Sequence, residues 1–157
     1  MYSLNIGPLP KHLRESIFMK YEGICQYCGE SVSALNFNID HFYPVSLGGD
    51  NRVENLVLAC RYCNAFKLNT SPEELVKKIR RVFDDLNNKK CMKKSFEELK
   101  LYEKKEHVAK MSKVAPSFIQ SKLVEEKENI QKMKEVQKKR DEIFHEKVEK
   151  VLENFEL

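Results

Sequence analysis

The chain has 157 residues, 41% of them hydrophobic and 33% charged, with a formal net charge of +4 and a mean hydropathy of -0.57. That length accommodates one modest core with an extension rather than two cores of ordinary size, and no run approaches the roughly 18 to 20 apolar residues of a membrane span. The N-terminal MYSLNIGPLPKHLRE has neither the basic start nor the apolar core of a signal peptide, so a cytoplasmic protein with no membrane partner is expected.

From Lys11 to Gly23 the apolar residues Leu13, Ile17 and Tyr21 recur a turn apart, which predicts a short amphipathic helix stopped by Gly23 and delivering Cys25. The run NFNID (36–40) alternates like a half-buried strand, and LVLAC (56–60) is a compact apolar run of strand length. Between them lies a loop with Pro44, Gly48 and Gly49, residues that favour turns. Arg61 to about Leu68 reads as a short helix. Ser71, Pro72 and Glu74 then form a capping box opening a helix to about Leu86, closed by Asn87 and Asn88. Ser95 and Glu98 repeat that signature for a helix to about Val114, and Pro116 is expected to interrupt it.

The final stretch, about 117–155, reads as one long charged helix. Its apolar positions Ile119, Leu123, Ile130, Met133, Val136, Phe144, Val148, Val151 and Phe155 make a narrow stripe with lapses rather than clean heptads. Two readings stay open: a homodimer or protein partner gripped through this helix, or packing back on the chain's own core.

Charge is unevenly distributed. Residues 1–70 balance six basic against six acidic side chains, whereas residues 77–113 hold thirteen basic and six acidic, net +7. Such a segment can hold a polyanion backbone.

Four of the five cysteines pair as C-x-x-C: Cys25 with Cys28, and Cys60 with Cys63. In a reducing compartment that spacing points to four thiolates around a structural zinc ion, with no open position for water. Cys91 stands alone and reads as an ordinary thiol. A zinc staple also suits a module of about 60 residues, near the lower limit for an unaided core. Chemistry must then come from between the knuckles, where Asp40 and His41 end the first strand. An imidazole can take a proton from water, and a carboxylate can ligate a hard cation such as Mg²⁺. Phosphodiester hydrolysis uses both.

Residues 22–68 resemble the HNH endonuclease family in its zinc-stapled form: C-x-x-C, then IDHFYPVSLGGDNRVENLVLACRYCNAFK. The resemblance implies an α+β fold, a small ββα-metal finger with four-cysteine zinc knuckles in a domain of residues 1–70, followed by a mostly α-helical extension, 71–157. It implies a metal-dependent endonuclease acting on DNA rather than RNA. His41 would activate water, and Asp40 and Asn64 would hold Mg²⁺ or Mn²⁺. Asn55 would tether the loop and help orient the base. Asn64 stands where the family often has histidine, and a neutral amide oxygen favours a hard cation. Lys67, Arg52 and Arg61 are candidate phosphate contacts. His12, His107 and His145 lie on charged helical segments and read as surface or packing residues.

Two other functions fit the same residues. One is a nuclease effector active only with a partner, as in antiphage defence; the other is a zinc-knuckle module that binds nucleic acid without cutting it. The intact set of Asp40, His41 and Asn64 favours catalysis over the second.

Overall fold

The computed structural model describes residues 9–87 and 96–153, with side chains described over 9–87 and 105–150. Cys91, Ser95, Asn88 and Phe155 lie outside the described residues. The elements in chain order are α1 (Lys11–Lys20), β1 (Asn38–His41), two single 3₁₀ turns (Val45–Leu47 and Val53–Asn55), β2 (Leu56–Ala59), α2 (Arg61–Lys67), α3 (Pro72–Asn87) and α4 (Phe96–Glu153).

β1 and β2 pair antiparallel, with Asn38 opposite Ala59, Ile39 opposite Leu58, Asp40 opposite Val57 and His41 opposite Leu56. The first strand is therefore shifted toward the loop relative to the expected 36–40, and His41 is its last paired residue. Side chains alternate across a strand, so Asp40 shares the face of Val57 while His41 shares that of Leu56. β2 is buried throughout, as its unbroken apolar run requires.

On one face of the ribbon, Leu56 and Leu58 pack with Ile17 of α1, joined by Leu13, Tyr21, Phe37 and Ile39. The a-turn-apart spacing of Leu13, Ile17 and Tyr21 is what lets α1 offer this stripe, and Tyr21 also donates its hydroxyl to Leu56 O at 3.4 Å. α3 begins as its capping box predicts: Ser71 Oγ accepts the Glu74 N–H at 3.3 Å, and Leu75 and Ile79 turn into the core.

α4 differs from expectation in running straight through Pro116. A mid-helix proline removes one hydrogen bond and crowds the preceding turn, at a cost of about 3 kcal/mol. Here Val108, Met111, Ala115 and Ile119, spaced 3 or 4 apart on one helical face, are all at most 2% exposed. Burying that stripe offsets the proline. The chain divides into two compact units, Met1–Ile119 and Gln120–Leu157. The first takes in α3 and the start of α4, beyond the expected boundary at residue 70.

Candidate active site and metal centre

The first knuckle is a tight turn after α1, in which Cys25 N–H donates to Glu30 O and Gly29 N–H, at φ 75, donates to Cys25 O. Gln26 N–H donates to Leu58 O at 3.0 Å, fastening the turn to β2. The second knuckle is the β2–α2 junction, where Cys60 caps α2 by accepting the Cys63 N–H on its sulfur at 3.4 Å. All four sulfurs lie within 4.8 Å of one another. The Cys28–Cys60 separation of 3.9 Å is near the ~3.8 Å edge of a tetrahedron with 2.3 Å zinc–sulfur bonds. The donor set therefore suits a structural zinc ion.

Crowding spreads the acidity of these thiols. Hydrogen bonding from Cys28 brings Cys25 down to about 7, and hydrogen bonding from Cys25 and Cys28 holds Cys60 far below the ordinary thiol range. The same sulfurs push Cys63 up. A further group faces the cluster: His107 of α4 places Nε2 3.1 Å from Cys63 Sγ and 3.7 Å from Cys60 Sγ. Its ring lies 5.2 Å from that of Tyr62. Lys110, one turn on, pairs with Glu30 at 2.9 Å. His107 was expected to be a surface or packing residue, and its position against the thiolates corrects that.

The loop from His41 to Asn55 is built around one amide. Asn55, 6% exposed, accepts the Tyr43 N–H at 2.8 Å and donates through Nδ2 to Tyr43 O (3.1 Å) and Asp50 O (2.9 Å). Gly49 passes so close that a Cβ there would sit 1.8 Å from Tyr43 O, and Gly48 before it adopts φ +93. The glycine pair is thus a packing requirement, not only a turn signal. Asn55 tethers the loop as expected, but the side chain that touches His41 is Asn51: its Oδ1 lies 2.7 Å from His41 Nε2. An amide oxygen only accepts, so it favours the imidazole tautomer with its proton on Nε2 and leaves Nδ1 an open lone pair.

On the opposite face of β1, Asp40 is 7% exposed. Its Oδ2 accepts the Tyr27 hydroxyl at 2.6 Å, and Lys67 Nζ lies 3.1 Å from Oδ2 and 3.3 Å from Oδ1. Burial pushes the Asp40 carboxyl up, with the Lys67 charge pulling it back. Tyr27 is itself pushed well up by burial and by Asp40, so it stays a neutral donor. Lys67 also donates to His41 O at 2.7 Å and is 1% exposed. The solvent-facing phosphate contact expected of Lys67 is replaced by an internal one, because α2 lies on β1 and its last turn points inward. Phe118 of α4 closes this face, its ring 5.8 Å from Tyr27 and 6.1 Å from Phe42.

Asn64 stands three residues before Lys67, hence on the same side of α2. It is half-buried, and its side chain makes no hydrogen bond among the described residues. Arg52 is exposed and engaged with Asp50, Nε to Oδ2 2.6 Å. Arg61 opens α2 and is exposed. For the divalent cation implied by the resemblance, Asp40 and Asn64 offer oxygen donors of the right hardness. Both Asp40 oxygens are already bonded, yet a carboxylate has about four acceptor sites, so lone pairs remain that a cation could take.

Three residues were missed in the sequence. Asn51 sits inside the D-N pair of the motif and carried a readable signal. Tyr27, inside C-x-x-C, and His107, 44 residues beyond Cys63, carried none.

Residues 25–80 match the family model described as HNH endonuclease. Among curated proteins, the CRISPR-associated endonuclease Cas9 of Corynebacterium diphtheriae is 43% identical over 47 residues, covering 29% of this chain and 4% of that protein. The chain thus spans only a small part of that relative's length. Among solved structures, the crystal structure of the Type II-C Cas9 enzyme from Actinomyces naeslundii aligns at 23% identity with a TM-score of 0.40, over 69% of this chain and 13% of that one. The family match falls on the segment that builds both knuckles, the loop and α2, and it identifies residues 25–80 as similar to the HNH endonuclease family.

Proposed function

We propose that the chain is a DNA endonuclease in which His41 takes a proton from water and Asp40 and Asn64 hold Mg²⁺ or Mn²⁺. The observation that carries this reading is the 2.7 Å contact between His41 Nε2 and Asn51 Oδ1. A general base must present one ring nitrogen with its lone pair free and its orientation held. Asn51 occupies Nε2, and the Asn55 tether holds the loop on which Asn51 stands, so Nδ1 is the atom left to accept the proton. A divalent cation bound at Asp40 and Asn64 would supply charge neutralisation at the phosphoryl and departing oxygens.

Lys67 acts through Asp40 in this reading, keeping the carboxylate ionised and its rotamer fixed, while its bond to His41 O steadies the strand end that carries the base. Exposed Arg52 and Arg61, with the basic segment 77–113, are the groups proposed to hold the DNA backbone. Binding through them would weaken steeply with salt.

The test is cleavage of supercoiled and linear DNA by zinc-loaded wild type and His41→Ala, with Mg²⁺, Mn²⁺ or EDTA. Metal-dependent cutting that disappears in the variant supports the assignment. If both proteins bind DNA and neither cuts it under any of these conditions, the autonomous nuclease is wrong.

A further inference from the structure

Residues Gln120–Leu157 form a unit of their own, and every residue from 127 to 150 is exposed. This length of helix shows water a series of large apolar side chains, among them Ile130 at 53%, Met133 at 68%, Phe144 at 64% and Val148 at 38%. With Val136 and Ile143 they fall within one sector about 140° wide at 3.6 residues per turn. An isolated helix gains little from such a stripe in water, since nothing is buried to offset the ordering of the chain.

The charges say what would cover it. Residues 131–140 carry five basic and one acidic side chain, and residues 141–150 carry four acidic and two basic. A parallel pair of these helices would lay like charge along like charge. An antiparallel pair whose two-fold axis passes between residues 140 and 141 lays the basic half of each copy along the acidic half of the other. The same axis brings Met133 level with Val148 and Gln137 level with Phe144. It also brings Arg140, inside the stripe, level with Asp141 of the second copy at the stripe's edge. Three level pairs run against the pattern: Lys134 meets Lys147, and, on the side of the helix away from the stripe, where solvent screens them, Glu135 meets Glu146 and Glu128 meets Glu153.

We propose that residues 127–153 pair with those of a second copy of this chain as an antiparallel two-stranded coiled coil centred between Arg140 and Asp141. The contact is isologous, so it closes at the dimer and does not propagate.

The test is the mass of the full-length, zinc-loaded chain by sedimentation equilibrium at micromolar concentrations. A species of twice 18.5 kDa that dissociates on dilution and on adding salt is expected. Arg140→Asp and Asp141→Arg, made separately, should each weaken the dimer about tenfold or more by setting like charges together, and the combined swap should restore it. A chain that stays monomeric overturns the proposal and leaves the stripe to a different protein. A dimer that the single changes leave intact, or that the combined swap fails to rescue, overturns the antiparallel register.

Discussion

Lys67 and Asp40 form an ion pair between α2 and β1, Nζ to Oδ2 3.1 Å, with side chains only 1% and 9% exposed. Neither charge reaches water, so each depends on the other and on two neutral neighbours, the Tyr27 hydroxyl and the His41 carbonyl. A residue expected at the DNA surface is thereby part of the fold.

Lys67→Ala should destabilise the protein by about 3 to 5 kcal/mol, because it strands a buried carboxylate. Asp40→Asn should cost a comparable amount by stranding the ammonium. Asp40→Asn with Lys67→Met should cost clearly less than the two single changes added together. Urea unfolding of the four proteins measures this, and additive losses would mean that the pair is not coupled.

The pH dependence follows from the direction of the Asp40 shift. Its carboxyl is raised above 3.8 by burial, so its contribution favours folding below the unfolded value and is lost as pH rises through the higher folded one. The stability of wild type relative to Asp40→Asn should therefore fall as pH climbs from about 3.5 and level off toward neutrality. Urea midpoints of both proteins, with zinc in excess, give the difference at each pH. A difference that grows with pH would show the Lys67 charge outweighing burial.

Stripping zinc should unfold the knuckles together with the ribbon they clasp, since the metal-binding energy is also folding energy. His107→Ala should leave the four ligands in place but speed zinc transfer to a chromogenic chelator by about tenfold, within the range for groups that hydrogen-bond to metal ligands. Unchanged release would place His107 beside the cluster without a role in it.

Asn51→Ala should lower DNA cleavage about tenfold or more with the fold intact, a smaller loss than the roughly 10²- to 10⁴-fold expected for His41→Ala. Single-turnover cleavage, with circular dichroism as the control on folding, separates the two. Full activity in Asn51→Ala would show that the contact does not orient the base.

Gly49→Ala should cost about 2 kcal/mol or more, because the new methyl collides with backbone, the carbonyl of Tyr43 1.8 Å away. Gly48→Ala meets open space and strains only a positive φ, for about 1 kcal/mol. Thermal unfolding ranks the pair, and the reverse order would refute the loop geometry.

The elements that local pattern controls were legible beforehand. The helix stripe of Leu13, Ile17 and Tyr21, the alternation ending at Asp40, the apolar run 56–59 and the Ser71 cap each depend on residues within one or two turns of one another. The zinc cluster was legible as well, because thiolate spacing within each knuckle is a local property and four of the five cysteines fall into two such knuckles. What the sequence could not convey is which distant side chains would be brought against these elements. Nothing near Lys67 says that α2 folds onto β1 and carries a lysine into the interior. Nothing near His107 says that its turn of α4 lies over Cys60 and Cys63. Pro116 looked like a break because its local cost is large, and only the burial of Met111, Ala115 and Ile119 against the rest of the unit outweighs it. Sequence by itself determined the pieces and the candidate reactive residues. Tertiary structure decided their partners, because burial and ion pairing are set by packing between segments far apart in the chain.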